Sequence, residues 1–161
     1  LGAIGSIIAN LALDLGMDVI GYDPAISVEA AWQLSSRVER MESLEKLLAS
    51  ADFVTLHVPA IPATKHLINH ETLSGMKSTA KILNFAREEI VNTDDMVDAL
   101  ETGSIAGYIS DFPTPALLGR KNVLLMPHIG ASTAEAEEKK TFSKQDLVDL
   151  IAYSSSPKLS K

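Results

Sequence analysis

Two rhythms of apolar and polar residues alternate along this chain. Ile4, Ile7, Ile8, Leu11 and Leu15 recur at helical spacing and predict an amphipathic helix over 4–15, followed by Gly16, which suits a left-handed cap. Residues 18–22 predict a short strand ending at Asp23, 28–34 a short Ala-rich helix, 37–41 a brief strand, and 44–49 a helix capped by Ser43. Residues 52–58 are mostly apolar, the pattern of a strand buried on both faces, and Pro59 closes the run because proline cannot continue a ladder. A loop over 60–69 leads to a short helix over 70–76 and a strand over 80–85. Asn92 or Thr93 then caps a helix over 94–101 with acids in its first turn and Gly103 at its end. Strands over 105–110 and 122–126 follow, then a last helix capped by Ser132 or Thr133 with Glu135, Glu137 and Glu138 early in it. The character changes after that. An amphipathic stretch over 146–153 and a Ser-rich tail make 139–161 a divergent segment beside a domain over 1–138.

Strands alternating with helices imply right-handed crossovers and the α/β class, a doubly wound parallel sheet with helices on both faces. Ligands of such sheets bind at the carboxyl ends of the strands. Asp23, His57 with Val58 and Pro59, Phe85 with Ala86 and Arg87, Asp111, and His128 with Ile129 and Gly130 all fall at such ends.

The first five residues give the sheet a ligand. Gly2 and Gly5 read as the later glycines of a G-x-G-x-x-G turn, whose opening glycine and preceding strand are expected just before Leu1. A glycine at position 2 lets a pyrophosphate approach the backbone, one at position 5 lets helix and sheet pack closely, and the helix start offers unpaired N–H donors. Asp23 stands about twenty residues on, where an acid hydrogen-bonds the ribose 2′-hydroxyl of NAD and repels the 2′-phosphate of NADP. The constellation predicts NAD as cofactor.

Composition narrows the class further. The chain has 161 residues, of which 46% are hydrophobic and 22% charged, enough for one domain with a substantial core. A net charge of -7 leaves no basic face for nucleic acid or an acidic membrane, and no apolar run has the length to span a bilayer. With no cysteine there is no disulfide, thiolate nucleophile or thiolate metal site, which fits a reducing compartment such as the cytoplasm.

Four groups bear on chemistry. Arg87 at a strand end suits bidentate capture of a substrate carboxylate, the alternative being a loop arginine paired with Glu88 or Glu89. His128 suits a general acid/base, since imidazole titrates near neutral pH; the alternative is a structural histidine. His57 reads equally as a packed strand-end residue or as part of the cofactor pocket. Asp111 reads as a contact near the nicotinamide or as a cap for the loop 112–115. His66 and His70 lack an acidic partner at metal spacing, and no metal is assigned.

These residues also carry a resemblance. The stretches 1–5, 21–24, 56–59, 83–87, 109–113 and 127–133 resemble, in order and spacing, the NAD-binding domain of the D-isomer-specific 2-hydroxyacid dehydrogenases. Asn84-Phe85-Ala86-Arg87, Ser110-Asp111-Phe112-Pro113 and the run from His128 to Thr133 point to the members that oxidise 3-phospho-D-glycerate at the entry to serine biosynthesis. The resemblance implies a Rossmann-type sheet, a substrate domain outside this chain and a homodimer. It further implies that Arg87 binds the carboxylate of a small 2-hydroxy acid, that His128 exchanges the hydroxyl proton, and that Ala3, Ile4, Asp23, Phe85, Ala86, Asp111, Gly130 and Ala131 touch NAD. Two departures stand out. The loop 112–116 has no acid where the family usually places the glutamate that orients the histidine, and Glu88 replaces the glycine that usually follows the arginine. They keep open a competing class, a catalytically impaired relative or a non-enzymatic NAD-responsive module on the same fold.

Overall fold

The structure, a computed structural model, describes residues 1–129. Residues 1–127 form one compact unit, and His128 and Ile129 belong to a second. The expected last helix, the tail, Gly130 and Ala131 lie outside the described residues.

Helix α1 (Ala3–Asp14) leads into strand β1 (Ile20–Gly21), α2 (Val28–Gln33), β2 (Glu39–Arg40), α3 (Leu44–Ser50), β3 (Phe53–Leu56), α4 (His70–Ser74), β4 (Lys81–Asn84), a 3-10 turn (Glu88–Ile90), α5 (Thr93–Glu101), β5 (Gly107–Ser110) and β6 (Val123–Leu125). Local chemistry accounts for the helix starts. Ser27, Ser43 and Asn92 each accept from backbone N–H groups of the first turn, and Asn69 forms a reciprocal capping box with Thr72. Gly16 and Gly103, with φ of 81° and 71°, turn the chain out of α1 and α5 in the left-handed region that glycine adopts without strain.

All pairings are parallel. β3, β4, β5 and β6 lie side by side in that order, while β1 and β2 pair as a two-stranded sheet. In the larger sheet Leu56 pairs with Asn84, Asn84 with Ser110, and Ser110 with Leu125, so the carboxyl ends of all four strands lie in one row. Beneath them Leu48, Ile68, Leu73, Ile82, Ile90, Met96 and Ile105 are almost wholly buried, and α4 packs on α3 and α5. Burying side chains of this size stabilises by about 1.5–3 kcal/mol each before entropy is counted, which holds the row of strand ends rigid.

One expectation needs correction. β3 is not buried on both faces: Phe53 and Thr55 are exposed and only Val54 and Leu56 are buried. Successive side chains of a strand point to opposite faces, and at β3 only the face of Val54 and Leu56 is covered among the described residues. The Phe53 ring instead carries the Lys81 ammonium 5.4 Å from its centroid.

Candidate active site and cofactor cleft

The start of α1 differs from every other helix among the described residues. Gly2 provides no side-chain cap and the first turn has no acid, whereas α2 to α5 each have both. The first N–H groups of a twelve-residue helix therefore meet no protein carboxylate, and a Cβ added at Gly2 would find nothing within 4 Å. An uncapped helix start below open space suits the pyrophosphate of a dinucleotide, where the helix dipole favours negative charge.

The two ends of the predicted nucleotide site meet. The Leu1 nitrogen lies 2.7 Å from Asp23 Oδ2, and Ala25 N–H donates to Asp23 Oδ1 at 2.9 Å. Burial raises the Asp23 pKa, and the Ala25 N–H bond favours the ionised carboxylate against it. Ser6, wholly buried, donates its hydroxyl to the Leu1 and Gly2 carbonyls at 3.0 and 2.9 Å and so ties the turn to the helix.

Gly5 is buried, and a Cβ there would lie 3.3 Å from His57 Cβ, so helix and strand end touch at this residue. His57 Nε2 is 2.9 Å from Thr55 Oγ1. Burial pushes the His57 pKa below its ordinary value. Val58 is half-buried beside it and Pro59 exposed. A histidine neutral in the fold and free to protonate when unfolded destabilises the protein as pH falls below about 6.5. Urea unfolding across that window is expected to show this loss, and His57→Gln to flatten it.

Phe85 and Ala86, half-buried, and the exposed Arg87 leave β4 next to Asp111, half-buried at the end of β5. Arg87 forms no ion pair with Glu88 or Glu89; its Nη1 donates to the Ala86 carbonyl at 2.6 Å. The turn itself is fixed by a residue that sequence reading passed over. Asn84, wholly buried, donates Nδ2 to the Arg87 carbonyl at 2.9 Å and accepts the Ala86 N–H on Oδ1 at 3.2 Å. The available signal was a polar residue ending an apolar strand. His128, exposed, follows three residues after the last residue of β6. No three His, Cys, Asp or Glu side chains among the described residues group to hold a metal.

The family model for the D-isomer specific 2-hydroxyacid dehydrogenase, NAD binding domain, matches residues 1–130. The chain belongs to this family. Its cofactor is NAD. The chain is 43% identical over 143 residues to D-3-phosphoglycerate dehydrogenase of Synechocystis, covering 85% of this chain and 25% of that one. To the enzyme of the same name from Haemophilus influenzae it is 40% identical over 152 residues, covering 88% and 36%. The chain thus spans about a quarter to a third of the length of these curated relatives. Among solved structures, apo D-mandelate dehydrogenase of Rhodotorula graminis superimposes with a TM-score of 0.76 at 31% identity, over 91% of this chain and 45% of that one. The NAD-complexed D-isomer specific 2-hydroxyacid dehydrogenase of Lactobacillus delbrueckii does so at 0.74 and 29%, over 98% and 52%. The fold is the Rossmann-type α/β sheet of this dehydrogenase family.

Proposed function

We propose that this chain is the cofactor-binding domain of an enzyme that oxidises a D-2-hydroxy acid, 3-phospho-D-glycerate, as the first step toward serine. The observation that carries the reading is the row of strand ends, in which the Phe85 to Arg87 turn after β4 stands beside Asp111 after β5, and His57 after β3 meets Gly5 of the open helix start. The choice of 3-phospho-D-glycerate is supported by the names of the relatives at 43% and 40% identity. NAD, when bound, supplies the hydride acceptor.

In this reading Gly2, Ala3, Ile4 and Gly5 receive the pyrophosphate on backbone N–H groups and Asp23 accepts the ribose hydroxyls. His57, Val58, Pro59, Phe85, Ala86, Asp111, Gly130 and Ala131 line the remainder of the cofactor. Arg87 holds the substrate carboxylate with its guanidinium fork, and the His128 imidazole accepts the hydroxyl proton as the C2–H bond breaks. The domain extends over 1–138, and the whole protein works as a cytoplasmic homodimer. The exposed apolar side chains Ile4, Ile7, Val28 and Trp32 on α1 and α2 are consistent with a covered surface.

A second reading is favoured by one observation. The loop 112–116 offers no carboxylate to orient the imidazole, and loss of such an orienter commonly costs orders of magnitude in rate. On this reading the chain binds NAD but turns over slowly or not at all. Reduction of NAD by the full-length protein with 3-phosphoglycerate separates the two: cofactor reduction supports the enzyme, and binding without it supports the module. A more local test is Asp23→Ala, expected to weaken NAD about 10–100-fold in calorimetry and NADP far less; equal losses count against the ribose role.

A further inference from the structure

Behind the row of strand ends lies a buried polar cluster to which the reading above gives no part. Tyr108 on β5 is almost wholly buried, and its hydroxyl accepts Asn84 Nδ2 at 3.3 Å from across the β4–β5 pairing. Ser110, two residues on and on the same face, neighbours that hydroxyl, and its Oγ accepts the Phe112 N–H at 3.1 Å. Asn84 and Ser110 are register partners, both wholly buried. Asn84 grips the turn that carries Arg87, and Ser110 grips the turn that carries Asp111. The phenol lies between them, bonded to Asn84. Its pKa is raised, chiefly by burial and in part by the charges of Glu88 and Asp111, so it stays protonated at neutral pH.

We propose that Tyr108 is a positioning residue that joins Asn84 and Ser110 into a latch across β4 and β5, so that the substrate-anion turn and the cofactor-side turn adopt one geometry together. This rests on the reading of Arg87 and Asp111 given above. The physical reason is that a buried polar network is held only when all its members are satisfied, and a single deletion leaves donors in a dry site looking for new partners. The sheet register packs the three groups side by side on one buried face, so that a shift of the Arg87 turn disturbs the bond Asn84 gives the phenol and with it the packing around Ser110.

The test uses Tyr108→Phe in the full-length protein, with Ser110→Ala as a second variant should the first fail to fold. Amide exchange at Ala86 and Phe112, the two backbone donors that the cluster holds, is expected to rise about tenfold at both sites. KM for the 2-hydroxy acid is expected to rise about 3–10-fold with kcat changed less than about twofold, and the effect to vanish in an Arg87→Lys background because the two residues act as one unit. Unchanged exchange at either amide overturns the latch. Faster exchange with KM unmoved, while Arg87→Lys alone raises KM, overturns the positioning role and leaves only a structural one. If Arg87→Lys itself leaves KM unchanged, the reading of Arg87 fails, and the exchange rates still decide whether the latch exists.

Discussion

Replacing His128 by asparagine in the full-length protein is expected to lower kcat by about 10²–10⁴-fold while leaving NAD affinity within about threefold. Asparagine keeps a polar side chain of similar width but cannot accept and release a proton near neutral pH. The proton on the substrate hydroxyl must leave as the C2–H bond breaks, because a protonated carbonyl product is too acidic to form without a base. A loss confined to kcat separates this role from a structural one, which would lower the melting temperature and weaken cofactor binding as well. Stopped-flow measurement of NADH formation, beside calorimetric titration of NAD, checks both halves. A drop of less than about tenfold would remove His128 from the chemistry. Adding a carboxylate at Thr114→Glu, in the loop that lacks one, is expected to raise kcat of the wild-type background if a missing orienter limits the rate.

Much of the architecture was legible because each element is punctuated by residues with a local reason to be there. Ser43 and Asn92 could be read as caps since a side-chain acceptor before an apolar run satisfies helix N–H groups that nothing else can reach, and the structure places both hydroxyl and amide there. The strand ends were legible from the turn residues that follow them. Pairing order was not. Nothing in the runs 53–56 or 81–84 states which strand sits beside which or which face is covered, and so an apolar run was read as doubly buried although only one face of β3 is covered. The polar cluster escaped for a related reason. Asn84 at a strand end looks like a residue turning to solvent, and only the neighbouring strand, which brings Tyr108 and Ser110 onto the same face, makes it buried. His57 was open between packing and cofactor roles; its close approach to Gly5 shows that it packs against α1, and a role beside the cofactor belongs to the proposed function.

The guanidinium at position 87 allows a sharper contrast than simple deletion. Arg87→Met keeps the length of the apolar stem but removes the fork, and is expected to lower kcat/KM for the 2-hydroxy acid by about 10²–10³-fold, nearly all of it in KM. Arg87→Lys restores the charge without the two parallel donors, and is expected to recover part of this, leaving a deficit of about 10–100-fold. The graded order follows from geometry. A carboxylate bound by two parallel N–H groups is fixed in rotation as well as position, which presents C2 in a single attitude, whereas an ammonium attracts the anion but lets it turn. No ion pair with Glu88 or Glu89 competes for the fork, although its Nη1 must leave the Ala86 carbonyl to meet a carboxylate, and Asn84 holds the backbone from which it extends. The exposed carboxylates at 88 and 89 still lower the local potential, so Glu88→Gly is expected to reduce KM modestly, by about two- to fivefold at low ionic strength and less at high salt. Steady-state kinetics on the four proteins at two salt concentrations would establish the order, and equal KM values for arginine and methionine at position 87 would place the substrate carboxylate elsewhere.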